Sequence, residues 1–191
     1  MKWNRGFTLI ELMIVIAIIS VLVIIAVPSM LRSRMAANET SAIASCKVLA
    51  ESQEVYKRSD RDGNGLLEYA TAMSGNKSLL ETVPGANDLG LIDLTLANAE
   101  GDPMTTPGKH GYVFKILTSQ GSVAEGGSRT YYGSGAMTLG YAFSCIPNSY
   151  DISGRSAFII GQSGTVYQKD RGITGTHETY YNPDSTWTAT H

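Results

Sequence analysis

The sequence predicts an α+β fold in which a long N-terminal helix packs on a small antiparallel β-sheet with loop-rich connections. Three observations predict this fold. An apolar run occupies residues 7–27, helix-forming residues without glycine continue to residue 59, and segments of alternating polarity follow from residue 112 onward. The chain has 191 residues and a net charge of -2 without a long basic run, so its composition indicates no nucleic-acid partner.

The apolar run is long enough to cross a membrane as a helix. Its length of about 21 residues, at 1.5 Å per residue, spans roughly 31 Å, which is the thickness of a hydrocarbon core. A short leader containing Lys2 and Arg5 precedes it, and this positive charge predicts a cytoplasmic N-terminus with the rest of the chain exported. A secretory signal peptide fits less well, because its apolar region is shorter and ends at a small-residue cleavage site.

A single carboxylate, Glu11, interrupts the apolar run. A charged side chain costs about 2.5–3.5 kcal/mol at the centre of a membrane helix and less near its end, so Glu11 needs a positively charged partner. Cleavage after Gly6 would create one by exposing the α-amino group of Phe7. The pair could form within one chain, or between staggered subunits, where each Glu11 would neutralise the amine of the next subunit and set the axial register of a filament. A plain single-span anchor explains the length of the run but not Glu11.

The residues from Gly6 to Glu11, GFTLIE, together with the apolar run behind them, resemble the prepilin signature shared by type IV pilins and type II secretion pseudopilins. The resemblance covers roughly the first third of the chain, and Pro28 matches a proline common in the helix of this family. It implies cleavage after Gly6 by a prepilin peptidase, N-methylation of Phe7 and a role for Glu11 in assembly.

The resemblance also implies function, partners and location. The expected function is that of a structural subunit, not an enzyme, in a type IV pilus-like filament, with a type II secretion pseudopilin as the alternative and a membrane-tethered domain that never polymerises as a minor one. The implied partners are further copies of the chain and related pilins, a prepilin peptidase, an assembly ATPase and an inner-membrane platform protein. Before assembly the subunit would be a single-pass protein of the bacterial inner membrane with its C-terminus outside, and afterwards part of a cell-surface or periplasmic filament.

Behind the membrane segment, residues 29–59 predict an amphipathic continuation of the same helix, which Pro28 should kink without ending it. Ala42, Cys46, Leu49 and Tyr56 recur at helical spacing and predict a face that packs on a domain. The predicted organisation is a leader (1–6), a membrane or filament-core helix (7–28), its amphipathic half (29–59) and a globular head (60–191).

The head reads as antiparallel β-structure. Strands are expected over residues 112–118, 139–145, 156–161 and 164–169, the last two joined by a hairpin at Gln162-Ser163. Short helices are plausible near residues 78–83 and 94–100. The segments 121–135 and 172–191 are predicted to be mobile surface loops.

Two cysteines fall on faces that point toward each other in this arrangement. Period 3.6 places Cys46 on the inner face of the helix, and period 2 places Cys145 on the apolar face of a strand. Outside the cytoplasm they are expected to form a disulfide, and two buried free thiols are the alternative.

The segment 60–65 begins like a calcium-binding loop, with Asp60, Asp62 and Asn64 at alternate positions and Glu68 at the ninth. The match then fails, because the twelfth position is Thr71 and not a bidentate glutamate. The alternatives are a calcium site and a polar turn that ends the helix. His110, His177 and His191 show no metal spacing, and no nucleophile or phosphate-binding motif indicates an enzyme.

Overall fold

The computed structural model describes residues 6–61, 63–81, 90–173 and 175–190. The chain divides into two compact units, Met1–Arg34 and Met35–His191. The first contains the apolar part of the N-terminal helix. The second contains the remainder of that helix together with the head and the hydrophobic core.

The N-terminal helix, α1, runs from Leu9 to Ser59 and continues through Pro28. Its interior contains no glycine, and Lys57 and Arg58 occupy its last turn, where positive charge interacts favourably with the helix dipole. Asp60 follows with a φ of 42°, and the amide of Gly63 donates to the Asp60 carbonyl at 3.0 Å, so the chain turns away directly after the helix. The predicted long helix is confirmed.

The second part of α1 packs on the head through one face. The buried side chains on this face include Ala42, Cys46, Leu49 and Tyr56, in agreement with the predicted spacing. The hydroxyl of Tyr141 donates to the carbonyl of Ala50 at 3.1 Å and so ties the helix to the head. The stability of this part of the helix therefore comes from tertiary packing, as is usual for amphipathic helices.

One five-stranded antiparallel sheet forms the centre of the head, in the order β1-β6-β7-β8-β9. Two-stranded ribbons β2-β3 and β4-β5 lie outside it, and a single turn of helix, α2, begins after the N-cap Asp93. The bounds are α2 Leu94–Ala97, β1 Tyr112–Leu117, β2 Ser119–Gln120, β3 Arg129–Thr130, β4 Tyr132–Gly133, β5 Ala136–Met137, β6 Ala142–Pro147, β7 Ser156–Gly161, β8 Val166–Asp170 and β9 Thr188–Ala189. The predicted α+β class is confirmed.

The register of the sheet places its aromatic residues beside the helix. Cys145 of β6 pairs with Phe114 on β1 and with Phe158 on β7. Two residues earlier on β6, Phe143 pairs with Ile116 on β1. All of these side chains are buried in one core cluster that also contains the inner face of α1. The alternation in the sequence thus marks the helix-facing side of the sheet.

The described part of segment 172–191 is largely without regular secondary structure, as predicted, but several of its residues are anchored to the sheet and not at the surface. Tyr181 and Trp187 are buried, and β9 extends the sheet as an edge strand beside β8. The aromatic ring of Tyr181 packs against Gly161 of β7, where an added Cβ would approach the ring within about 3.0 Å. The segment was missed because it lacks alternating polarity and is held by contacts distant in sequence. Thr174 and His191 lie outside the described residues.

Other predicted boundaries need smaller corrections. The strand expected at residues 139–145 spans Ala142–Pro147, since Leu139 is exposed and Gly140 packs closely against the ring of Tyr131. The predicted loop at 121–135 contains β3 and β4. Residues 78–81 form an isolated bridge and a turn, not a helix, and the rest of that predicted helix lies outside the described residues.

Candidate assembly site

The N-terminal end of α1 is organised by Thr8 and Glu11. The Thr8 amide donates to Glu11 Oε2 at 2.9 Å, the Thr8 hydroxyl donates to the same oxygen at 2.6 Å, and the Glu11 amide donates to Thr8 Oγ1 at 3.3 Å. This reciprocal arrangement is a capping box, which satisfies backbone donors that have no partner in the first turn of a helix. Gly6 and Phe7 precede it, and Phe7 is 84% exposed.

The capping box was not predicted, although its signal is in the sequence. A threonine followed three residues later by a glutamate, in front of an apolar run, is the usual sequence signature of such a cap. Glu11 therefore has a role within the subunit besides any role between subunits. Both bonds that it accepts go to Oε2, so Oε1 has no hydrogen-bond partner among the residues that the structure describes.

The first part of α1 exposes a continuous apolar surface. Every large apolar side chain from Leu9 to Leu31 is at least 45% exposed. The hydroxyl of Ser20 donates to the carbonyl of Ile16 at 2.7 Å, so this polar group finds its hydrogen-bond partner within the helix. Of the helices described, α1 alone is long and apolar enough to cross a membrane. Surfaces of this size and character are typical of membrane or protein contacts.

The two cysteines lie together in the core between α1 and β6. Both side chains are fully buried as free thiols, and they are neighbours in the core. Burial and the neighbouring Cys46 thiol raise the pKa of Cys145 well above its ordinary value. The structure thus confirms the predicted proximity, while the predicted disulfide stays a prediction.

The predicted calcium ligands are engaged in protein contacts where they are described. Asp60 Oδ2 accepts from the amide of Gly65 at 3.0 Å, and Asn64 Oδ1 accepts from the amide of Leu66 at 2.7 Å. Glu68 Oε1 accepts from the ammonium of Lys77 at 2.7 Å. Among the described residues, no group of three or more acidic, cysteine or histidine side chains converges on one point.

For the part of this segment that the structure describes, these contacts favour a polar turn over a calcium site. The Asp60 Oδ1 atom is buried without a hydrogen-bond partner, but Glu68 is committed to a lysine, so the described side chains do not form the predicted ligand set. Asp62 lies outside the described residues, and calcium binding stays a prediction.

His177, expected in a surface loop, is buried beside Ser144 of β6. Its Nε2 lies 2.9 Å from the carbonyl oxygen of Gly101 and must donate to it, so Nδ1 of the neutral ring accepts from the hydroxyl of Ser144 at 3.1 Å. Burial lowers the pKa of His177 to about 4. No sequence signal marks this contact, because Gly101 and Ser144 are both far from His177 along the chain.

Two family models match the chain. The family described as "Prokaryotic N-terminal methylation motif" matches residues 4–27, and the family described as "Protein of unknown function (DUF2950)" matches residues 25–190. No solved structure matches the chain.

Three curated proteins are similar to parts of the chain. The type II secretion system core protein G of Escherichia coli strain K12 is 32% identical over 116 residues, which are 56% of this chain and 76% of that protein. The type IV wide pilus major component PilA4 of Thermus thermophilus is 44% identical over 57 residues, 30% of this chain and 44% of that protein. The type IV major pilin protein PilA of Myxococcus xanthus is 43% identical over 53 residues, 28% of this chain and 24% of that protein.

The coverage of these relatives is uneven. The chain spans about three quarters of protein G but less than half of either pilin. The match to protein G is longer than α1 and so reaches beyond the helix, whereas the two pilin matches are about as long as the helix. Together with the methylation motif and the long helix packed on an antiparallel sheet, these matches show that the chain belongs to the family of type IV pilins and type II secretion pseudopilins, and also to the family DUF2950.

Proposed function

We propose that the chain is a structural subunit of a type IV pilus-like filament that polymerises through α1. The observation that carries the proposal is the exposed apolar surface from Leu9 to Leu31, which begins with one carboxylate, Glu11. Before assembly this surface fits a bilayer, and in a filament it fits the same surface of neighbouring subunits.

Processing would precede assembly. Cleavage after Gly6 removes Lys2 and Arg5 and exposes the amine of Phe7, which is then methylated. The exposed position of Phe7 supports access by a peptidase. The capping box occupies only Oε2 of Glu11, which leaves Oε1 for the amine of a neighbouring subunit without loss of the helix cap. Glu11 would thus cap its own helix and pair with the next subunit at once.

The location and partners follow from this mechanism. The subunit would sit in the inner membrane with its C-terminus outside, because the positive leader stays on the cytoplasmic side. A prepilin peptidase, an assembly ATPase and an inner-membrane platform protein would act on it, with related pilins as further subunits. Its role is structural and requires no catalytic residue.

A type II secretion pseudopilin is the second candidate function. The observation that supports it is the 116-residue match to protein G, which includes part of the head. The two candidates differ in the filament that they form: a pilin gives long surface fibres, whereas a pseudopilin gives short periplasmic fibres when overproduced.

The experiment is electron microscopy of sheared fibres combined with mass spectrometry of the subunit N-terminus. We expect fibres whose subunit begins at a methylated Phe7. A subunit that retains residues 1–6 and is found only as a membrane-bound monomer would contradict the proposal. Long surface fibres would favour the pilin, and short periplasmic fibres would favour the pseudopilin.

We also propose that Cys46 and Cys145 form a disulfide once the head is outside the cytoplasm. The two thiols would lose two protons and two electrons to the disulfide of a thiol oxidoreductase, which is reduced to a dithiol. The bond would join α1 to β6 and close a loop of roughly 100 residues, for which a chain-entropy estimate gives a stabilisation of about 4–5 kcal/mol.

A further inference from the structure

A polar cleft of about 500 Å³ opens beside the β2-β3 ribbon of the head. This volume is within the range of small-molecule sites in proteins. The residues that line it carry hydroxyl and amide groups, one tyrosine ring and one guanidinium, and they include no carboxylate. The chemistry of the cleft is therefore that of a site for a polar anion.

Two amide side chains in the cleft are held by the backbone. Gln120 is only 6% exposed, and its Nε2 donates to the carbonyls of Glu125 at 2.6 Å and Gly127 at 2.7 Å. These two bonds orient the amide and leave Oε1 as an acceptor without a partner among the described residues. Asn182 Oδ1 accepts from the amide of Val123 at 3.0 Å, which leaves the Nδ2 group as a donor.

Arg129 supplies the positive charge. It pairs with Gln120 in the β2-β3 ribbon, and its guanidinium packs beside Gly126, where an added Cβ would lie 3.5 Å from Nη1. Within the described residues the guanidinium takes part in no hydrogen bond or ion pair. Its planar group matches a carboxylate through two parallel hydrogen bonds. Arg129 and Gln120 also line an adjoining cleft, to which Glu125 contributes, whereas the lining of the cleft beside β2-β3 includes no acidic residue.

Tyr180 adds an apolar surface to this polar set. Its side chain is 48% exposed and lines the cleft together with Asn182. The face of an aromatic ring carries partial negative charge and attracts the slightly positive C–H groups of a flat ligand. A sugar ring presents such C–H groups on one face and hydroxyl groups around its edge.

We propose that this cleft binds a carboxylated sugar. Arg129 pairs with the carboxylate, Gln120 Oε1 accepts from one sugar hydroxyl, Asn182 Nδ2 donates to another, and Tyr180 packs against the ring. A bare phosphate would satisfy Arg129 but would leave the Gln120 acceptor and the tyrosine ring unused. The cleft lies within the head, so binding does not depend on filament assembly, and the two proposals succeed or fail separately.

The test measures binding of three sugar acids to the full-length chain in detergent. The acids are digalacturonate, glucuronate and N-acetylneuraminate, and binding is measured by calorimetry or saturation-transfer NMR. We expect at least one of these acids to bind, and its neutral counterpart to bind at least tenfold more weakly. Arg129→Gln should weaken binding of the acid at least tenfold, and Tyr180→Ala should also weaken it. Arg58→Gln removes an exposed charge at the end of α1 and should leave binding unchanged.

Several results would overturn the proposal: no binding by any acid of the panel, equal binding of the neutral sugar, or unchanged binding by Arg129→Gln. A single-stranded oligonucleotide that binds more tightly than the sugars and is lost in Arg129→Gln would assign the cleft to phosphate instead. Circular dichroism of each variant identifies any that fails to fold, and Arg129→Lys then replaces Arg129→Gln, with a smaller loss expected because lysine cannot bind bidentately.

Discussion

Individual polar side chains fix how the parts of the head meet. Gln53 is fully buried on α1, and its amide group both donates to the carbonyl of Ala70 at 2.9 Å and accepts from the amide of the same residue at 2.8 Å. The Gln53 side chain therefore supplies the hydrogen-bond partners that a neighbouring strand would otherwise give to the backbone of Ala70, which is buried but belongs to no strand. A buried backbone group without such a partner would be costly.

Replacing Gln53 with leucine should destabilise the head. The variant keeps the volume of the side chain but leaves the amide and the carbonyl of Ala70 buried without partners, at a cost of about 2–4 kcal/mol. The measurement is denaturant unfolding of the full chain in detergent. The control is Glu51→Ala on the exposed face of the same helix, which should change stability by less than about 0.5 kcal/mol. Equal stability of Gln53→Leu and Glu51→Ala would refute a role for the amide pair.

His177 should make the stability of the head depend on pH. Because burial lowers its folded pKa to about 4, below the unfolded value near 6.5, its contribution is present above pH 6.5 and is lost as pH falls toward 4. The full loss would be roughly 3 kcal/mol. The neighbouring charges are Lys115 and Arg171, which oppose protonation, and Asp102, which favours it.

The measurement is the free energy of unfolding between pH 7 and pH 4 for the native chain and for His177→Gln. We expect the native chain to lose more stability over this range than the variant, by roughly 3 kcal/mol. His110→Asn, which changes an exposed histidine, should follow the native chain. Parallel curves for the native chain and His177→Gln would rule out titration of His177 as the cause.

At the scale of elements, α1 joins two different surfaces in one helix. Up to about Leu31 its large apolar side chains are exposed, and from Ala42 onward one face is buried against the head. The helix begins at the capping box of Thr8 and Glu11, and its last turn contains Lys57 and Arg58. The helix therefore needs two environments, a folded head for one part and a bilayer or neighbouring subunits for the other.

The proposed disulfide belongs to this scale, since it would join α1 to β6, an interior strand of the sheet. We expect chain isolated from the exported side of the membrane to show no free thiol and to unfold at lower denaturant concentration after reduction. The stability difference should approach but not exceed about 4–5 kcal/mol. The control is the double variant Cys46→Ala, Cys145→Ala, whose stability should not respond to reductant. Two titratable thiols in the denatured, unreduced native chain would exclude the bond.

At the scale of the whole molecule, the helices and strands that can be predicted from the sequence are those specified by a local pattern of residues. The long helix follows from the apolar run and the absence of glycine before Gly63, and the strands near Tyr112 and Ser156 follow from alternation and a hairpin signal. These elements include the assembly segment with Glu11, so the family and the candidate site could be recognised without a structure.

The parts that the sequence did not predict depend on contacts between distant residues. The edge strand β9 has only two residues, too few for a periodic pattern, and it is placed by pairing with Tyr167 and Gln168. The polar cleft beside the β2-β3 ribbon brings together Gln120, Arg129 and Asn182 from three places in the chain. The capping box is an exception, because Thr8 and Glu11 are only three residues apart. It was not predicted because the apolar run behind it is the stronger signal.

The central claim is that incorporation into a filament, through the apolar surface of α1, requires the charge of Glu11 and not its capping role. Two variants separate these roles. Glu11→Gln removes the charge but keeps an oxygen that can accept the capping bonds, whereas Thr8→Ala breaks the box and keeps the charge.

The decisive measurement is the amount of each variant recovered in sheared fibres relative to the amount inserted in the membrane. We expect both variants to insert, Glu11→Gln to be at least tenfold depleted from fibres, and Thr8→Ala to be incorporated nearly as well as the native chain. Incorporation of Glu11→Gln at the native level would contradict the claim.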